Sequence, residues 1–256
     1  MTLSDAELDR YARQIVLPQV GGVGQKKLKA ARVAVIGAGG IGSAVIPALA
    51  GAGIGELTIV DNDSVEIDNL HRQPLFRERD AGYSKADLAL QFVHRLNSHV
   101  KATPVLARID AANAAQLLAG HDLVIDGSDN FATRLAVSDV CVGLGIGVVS
   151  AAAVQFQGQV GLFRSKPCYR CFVGDAFDSD DCDNCAELGV LGALTGTVGS
   201  FAALLAINAI CGIGEDRAGQ LHLFDGEKLS WRTTRIPADP SCRECGLILE
   251  LPESLR

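Results

Sequence analysis

The sequence lacks an excess of basic residues, a secretory signal, low-complexity tracts and repeats of fixed period. Its 256 residues carry a net charge of −7, whereas a protein that binds duplex nucleic acid needs a basic face towards the phosphates. Residues 1–7 lack the basic start and apolar run of a secretory signal. We therefore expect a cytoplasmic globular protein that does not bind nucleic acid.

Charged residues are absent from one long stretch, residues 189–214, which is long enough to cross a bilayer as a helix. Six glycines and several polar residues interrupt it, and acidic residues flank it where an anchored cytoplasmic end favours Lys or Arg. We therefore predict a buried core helix and no membrane segment.

Short apolar strands alternate with helical patterns up to residue 150, which predicts a Rossmann-like, doubly wound parallel sheet. The predicted strands are 32–36, 56–60, 102–106, 122–125 and 147–150, and the predicted helices are 43–52, 84–96, 111–118 and 130–142. Hairpin patterns at 154–163 and 221–235 then predict antiparallel strands that extend the same sheet. We expect one domain, 1–256, with an N-terminal helical arm over residues 1–30 that starts at a capping box, Ser4 to Glu7.

A glycine motif, Gly37-x-Gly39-x-x-Gly42, stands between the first strand and the first helix of this pattern. The missing side chains allow a phosphate to approach the amides at the helix N-terminus. Asp61 ends the next strand, where a carboxylate can accept hydrogen bonds from ribose hydroxyls. The motif by itself is compatible with either NAD or ATP.

A second group of charged residues favours ATP over NAD. Arg72, Lys85 and Asp129 supply two cations for phosphates and a carboxylate for Mg²⁺, which phosphoryl chemistry needs because its transition state is stabilised electrostatically. A nicotinamide site has little use for this group.

Four of the eight cysteines form two C-x-x-C pairs, Cys168 with Cys171 and Cys242 with Cys245. Four thiolates complete a tetrahedral Zn²⁺ site with no open position, so the pattern predicts a structural metal that joins the middle of the chain to its C-terminal end. Two separate redox pairs are the alternative.

Taken together, these motifs resemble the MoeB/ThiF/HesA family, bacterial relatives of ubiquitin-activating enzymes. The resemblance covers nearly the whole chain and is carried by the glycine motif, both cysteine pairs, Arg10-Tyr11-Ala12-Arg13-Gln14, Asn69-Leu70-His71-Arg72-Gln73 and Ser128-Asp129-Asn130. It implies an adenylyltransferase that uses ATP and Mg²⁺ to adenylate the terminal glycine of a ubiquitin-fold sulfur carrier such as MoaD or ThiS. It also implies a homodimer, a nucleotide-binding half at 31–150 and a carrier-binding half at 151–256.

The resemblance also implies roles for individual residues. Arg13 corresponds to an arginine that reaches into the partner subunit's site, and Cys185 to a cysteine that takes part in thiol chemistry in ThiF-like members and is dispensable in MoeB-like ones. Cys182, three residues earlier, departs from the family pattern. The residues that correspond to nucleotide contacts or flank them are Gly37, Gly39, Gly40, Gly42, Asp61, Asp63, Asn69, Arg72, Gln73, Lys85, Asp129 and Asn130.

Two alternatives stay open at this point. One is an NAD-dependent oxidoreductase, and the other is a non-catalytic scaffold that binds ubiquitin-fold proteins. The sequence does not identify the carrier or the pathway.

Overall fold

The computed structural model describes residues 2–174 and 188–246. One eight-stranded sheet with the strand order β3-β2-β1-β4-β5-β6-β7-β8 crosses the protein. Its strands are β1 (Arg32–Ile36), β2 (Glu56–Val60), β3 (Lys101–Val105), β4 (Leu123–Asp126), β5 (Gly147–Val154), β6 (Gln157–Phe163), β7 (Gln220–Asp225) and β8 (Ser230–Arg235).

The described helices lie on both faces of this sheet. They are α1 (Asp5–Arg10), α2 (Ala12–Ile15), α3 (Gly21–Ala30), α4 (Gly42–Ala52), α5 (Lys85–Leu96), α6 (Ala114–Leu118), α7 (Phe131–Leu144), α8 (Tyr169–Val173) and α9 (Gly192–Cys211), with 3₁₀ turns at Ile67–Asn69 and Glu78–Asp80. The capping box at Ser4 and Glu7 is formed and starts α1 as predicted.

The pairing confirms a sheet that is parallel first and antiparallel afterwards. Strands β1 to β5 pair in parallel, and β5 to β8 pair antiparallel. The prediction of separate strands at 147–150 and from 154 onwards was wrong, because β5 continues through Val154. It pairs with β4 only as far as Ser150 and with β6 from Val148 to Val154, so this single strand joins the two halves.

Alternate strand residues face two different apolar layers. One layer joins the sheet to α4, α5 and α9, and the other joins its parallel half to α6 and α7. Helix α9 packs against α4 and β5, which agrees with the predicted core helix. Among the described residues it is the one helix that is long and apolar enough to cross a membrane. Half of its most apolar 18-residue stretch is buried inside the protein.

The second face stays open over part of the antiparallel half. The N-terminal end of α7 and residues of β5 to β8 line a cavity of about 520 Å³ on this face. Since the carboxyl ends of the parallel strands meet at one edge of the sheet, the loops that follow β1, β2 and β4 lie beside one another. Asp129, in the loop after β4, lines the cavity.

Candidate functional site

The loop after β1 has a backbone shape that requires glycine at two positions. Gly37 has φ +86°, in the left-handed region. A Cβ atom on Gly42 would lie 2.2 Å from the carbonyl oxygen of Gly37, so the loop closes tightly at the start of α4. Gly39 and Gly40 lie between them, facing Gln73 and Thr195 respectively. The amides at this helix N-terminus therefore stay open to an anion.

Asp61 holds the end of β2 against the glycine loop. Its two carboxylate oxygens accept hydrogen bonds from the backbone N–H of Ala38 at 2.7 Å and of Asp63 at 2.8 Å. Burial raises the pKa of Asp61 above its ordinary value, although both hydrogen bonds act in the opposite direction. The carboxylate is thus fixed next to the second residue of the glycine motif.

Lys85 is a buried cation at the first position of α5. Only 6% of its side chain is exposed, and its Nζ lies 3.2 Å from Oδ2 of Asp63, whose own side chain is 60% exposed. A buried ammonium is costly unless it is paired. Its ion-pair partner Asp63 is partly solvated, and Asp61 adds a further attraction. The ammonium can therefore still pair with a phosphate.

The segment Asn69–Gln73 lies between the glycine loop and the start of α9. The amides of Asn69 and Gln73 are both buried, and Gln73 Nε2 donates to Asn69 Oδ1 at 2.9 Å. Gln73 Oε1 has no hydrogen-bond partner within the described ranges. A buried oxygen of this kind calls for a ligand or water donor.

The backbone of this segment touches α9. A Cβ atom on Gly192 would lie 2.2 Å from the carbonyl oxygen of His71 and 3.1 Å from Cα of Arg72. The Arg72 guanidinium donates to the carbonyl of Asp68 at 3.3 Å and meets His71 Nε2 at 2.9 Å. No described carboxylate forms an ion pair with it, so its charge remains available to a ligand.

The loop after β4 carries the third part of the site. A Cβ atom on Gly37 would lie 3.3 Å from the carbonyl oxygen of Gly127, which places the two loops side by side. Asp129 is exposed, and its carboxylate accepts one long hydrogen bond, 3.5 Å, from Asn130. Asn130 caps α7, since its Oδ1 accepts from the backbone N–H of Thr133 at 2.9 Å.

Arg13 lies away from these loops. Its helix α2 contacts the far end of α4, where Gln14 Nε2 donates to the carbonyl of Ala52 at 3.2 Å. Because α4 has 11 residues and rises about 1.5 Å per residue, roughly 16 Å separate this end from the glycine loop. Arg13 is exposed, and it does not join the site of its own chain.

The four predicted cysteines meet in one buried cluster. The sulfur atoms of Cys168, Cys171, Cys242 and Cys245 all lie within 4.8 Å of one another. Between the two pairs, the Sγ atoms of Cys168 and Cys242 lie 3.6 Å apart, and those of Cys171 and Cys245 lie 3.4 Å apart. This arrangement is a candidate metal site and agrees less well with two separate redox pairs, because each pair approaches the other.

The cysteine cluster is joined to α7 by a bidentate ion pair. Arg170, between Cys168 and Cys171, donates through Nε and Nη2 to the two oxygens of Asp139 at 2.7 and 2.8 Å. Cys182 and Cys185 lie outside the described residues, so the predicted thiol role of Cys185 stays a prediction.

Two cavity-lining residues escaped the sequence analysis. Arg134 donates to Ser150 Oγ at 2.9 Å, to the carbonyl of Ala151 at 3.0 Å and to the carbonyl of Ser128. Tyr169 lines the same cavity. The one available signal for Arg134 was its position four residues after the cap of α7, whereas nothing in the sequence distinguishes Tyr169 from an ordinary core tyrosine.

Comparison with known proteins gives a consistent assignment. The ThiF family model matches residues 11–244. The sulfur carrier protein adenylyltransferase of Thermus thermophilus is 42% identical, with 96% of this chain and 93% of that protein covered. The molybdopterin-synthase adenylyltransferase of Escherichia coli is 38% identical, with 95% and 98% covered.

Solved structures share the fold. E. coli MccB with MccA-N7isoASN has a TM-score of 0.83 at 23% identity and covers 96% of this chain and 76% of its own. E. coli MccB with ATP has a TM-score of 0.81 at 25% identity and covers 93% and 74%. The extent of the family match and the identity to full-length relatives confirm the resemblance seen in the motifs, and the chain belongs to the ThiF family.

Proposed function

We propose that the protein uses ATP to adenylate the C-terminal glycine carboxylate of a ubiquitin-fold sulfur carrier, with release of pyrophosphate. The observation that carries this proposal is the meeting of the glycine loop, the buried Lys85 and the exposed Asp129 at one edge of the sheet. The names of two similar proteins support it, since one is a sulfur carrier protein adenylyltransferase and the other a molybdopterin-synthase adenylyltransferase.

The site fits ATP through groups that are otherwise incompletely satisfied. The backbone N–H groups of Gly39 to Gly42 donate hydrogen bonds to phosphate oxygens, and Asp61 faces the ribose. Lys85 and Arg72 neutralise the phosphate oxygens, and the orphan Gln73 Oε1 accepts a hydrogen bond from the nucleotide or its water. Gly39, Gly40, Asp63 and Asn69 shape this pocket, and Asn130 holds the neighbouring helix end.

Asp129 is the proposed Mg²⁺ ligand. Carboxylate oxygens are preferred by this cation, and Asp129 is exposed in the loop after β4. When bound, the ion neutralises negative charge on the phosphates.

The open cavity is the proposed site for the carrier's tail. Asp129 lies at the end of the cavity that is nearest the proposed nucleotide site. The antiparallel strands form the floor of the cavity, which includes Ala152, Gln157 and Gln159. A carboxylate oxygen at the tail's end attacks the α-phosphorus of ATP, and the bond from that phosphorus to the bridging oxygen of pyrophosphate breaks. The attacking group needs no general base because a terminal carboxylate is ionised at neutral pH. We propose that residues 31–150 mainly bind the nucleotide and residues 151–256 mainly bind the carrier, with Asp129 and Arg134 of the first half also lining the tail cavity.

Zinc is the metal that suits the cysteine cluster. Four thiolates with Zn–S bonds of about 2.3 Å place the sulfurs about 3.8 Å apart, and the observed separations of 3.4 and 3.6 Å are near this value. Its role is structural, since four protein ligands leave no position for a substrate.

A homodimer would bring Arg13 to a nucleotide site. Arg13 is remote from its own glycine loop, and exposed apolar side chains surround it in the sequence: Val16 is 72% exposed, Leu17 49% and Val23 71%. Such a patch is typical of an interface. We propose that the partner subunit covers it and receives Arg13 at its ATP.

Pyrophosphate exchange into ATP tests the activity directly. With recombinant MoaD and ThiS supplied separately as carriers, we expect exchange that depends on one carrier and on Mg²⁺ and that stops when the carrier lacks its last glycine. Absence of exchange with every ubiquitin-fold carrier, together with reduction of NAD by a small substrate, would establish the oxidoreductase alternative.

Coexpression of two inactive variants tests the dimer. Arg13→Ala and Asp129→Asn each damage every site of their own homodimer, whereas a mixed dimer regains one complete site. Random pairing therefore predicts about a quarter of wild-type exchange from the coexpressed mixture. Arg10→Ala is the matched control, because Arg10 bonds within its own chain to the carbonyl of Leu96. No recovery in the mixture would refute a site shared between subunits.

A further inference from the structure

Tyr169 connects the candidate metal site to the open cavity. It lies between Cys168 and Cys171, and it is also one of the residues that line the cavity. Its ring is held by an edge-to-face contact with Phe163, with centroids 5.4 Å apart, and by a second such contact with Phe172 at 5.9 Å. The position of its hydroxyl is therefore fixed by packing.

The hydroxyl of Tyr169 has no hydrogen-bond partner among residues 2–174 and 188–246, although the residue is only 2% exposed. Burial raises the pKa of Tyr169, and the nearby Arg134 and Ser150 act in the opposite direction. Neither side chain forms a well-directed hydrogen bond with the Tyr169 hydroxyl. A buried hydroxyl without a hydrogen-bond partner destabilises the free protein. Such a group at the wall of a cavity points to a ligand that completes it.

The surroundings determine which ligand chemistry fits. Arg134 donates to Ser150 Oγ and lines the cavity beside Tyr169, whereas Ser150 itself lies behind the cavity wall. The Tyr169 hydroxyl keeps its own hydrogen, so this end of the cavity offers a hydrogen-bond donor to a ligand that presents acceptors, such as peptide carbonyls. Arg134 also bonds to the carbonyl of Ser128, directly before Asp129, so this donor lies beside the nucleotide end.

We propose that the Tyr169 hydroxyl donates a hydrogen bond to a peptide carbonyl of the carrier's tail, upstream of the terminal glycine. The terminal carboxylate itself is required at the α-phosphate, so an internal carbonyl is the acceptor. This inference rests on the proposed function and adds a tail-binding residue to it. Because Tyr169 lies between Cys168 and Cys171, this cysteine pair also sets how far the tail enters the cavity.

Tyr169→Phe tests the inference by steady-state exchange. We expect the KM for the carrier to rise roughly 3- to 10-fold, the range for loss of one hydrogen bond, while the KM for ATP and the bound metal stay unchanged. The midpoint of thermal unfolding without carrier should stay the same or rise, because the variant removes a hydroxyl that has no partner in the free protein. Tyr83→Phe is the control, since Tyr83 is 65% exposed on the surface.

The outcomes separate this inference from the function on which it rests. A wild-type protein without carrier-dependent exchange would refute the proposed function. An active wild type whose Tyr169→Phe variant keeps the same carrier KM would refute only the role of Tyr169. A variant with a lower unfolding midpoint and raised KM values for both substrates would show a structural hydroxyl and also overturn the inference.

Discussion

Replacement of Asp129 by Asn lowers carrier-dependent pyrophosphate exchange by about 10²- to 10³-fold, the usual loss when one group that stabilises transition-state charge is removed. The amide keeps the size of the side chain and loses the charge proposed to hold Mg²⁺. The structural cost is small, because the carboxylate is exposed and its one described hydrogen bond is 3.5 Å long. Exchange rates at saturating ATP, carrier and Mg²⁺ measure the effect.

Two further measurements make this result specific. The variant should still bind the carrier, since the cavity walls remain, and its midpoint of thermal unfolding should match the wild type. Glu215→Gln serves as the control, because Glu215 is exposed and no described residue forms an ion pair with it. Exchange by Asp129→Asn at more than half the wild-type rate would contradict a role at the metal and the phosphates.

Replacement of Cys245 by Ser removes the bound metal and strongly destabilises the protein. Structural Zn²⁺ contributes an apparent binding free energy of about 10–16 kcal/mol in small zinc modules. We therefore expect zinc content, measured by elemental analysis, to fall from near one equivalent to near zero. The midpoint of thermal unfolding should fall at the same time, as it should when a strong chelator is added to the wild type.

Cys141→Ala separates metal loss from simple loss of a buried thiol. Cys141 is fully buried in α7 but is not part of the cysteine cluster, and burial raises the pKa of its thiol to about 12. This variant should lose some stability through the cavity it creates, yet it should retain the metal. Full zinc content in Cys245→Ser would refute the assignment of the cluster as the metal site.

The local elements of the parallel half were readable from the sequence. Strands β1 and β2 have the predicted limits, and β3 and β4 differ from them by one residue at each end. Buried parallel strands such as β1 and β4 form continuous apolar runs between polar turns, whereas β3 is a partly exposed edge strand. Helix α3 was hidden inside the predicted arm. Its glycines oppose a helix locally, and packing stabilises it, as shown by the bond from Gln25 Nε2 to the carbonyl of Ala52 at 2.9 Å.

The sequence by itself determined the glycine loop, the charged residues beside it, the cysteine pairs and the family to which they belong, since each is a short pattern whose chemistry follows from residue type and spacing. Only the tertiary structure decided that the cysteines meet, that Arg13 lies at the opposite end of α4 from the loop, and that Tyr169 reaches the cavity. These are contacts between segments far apart in the chain. They depend on strand order and packing, which local patterns do not encode.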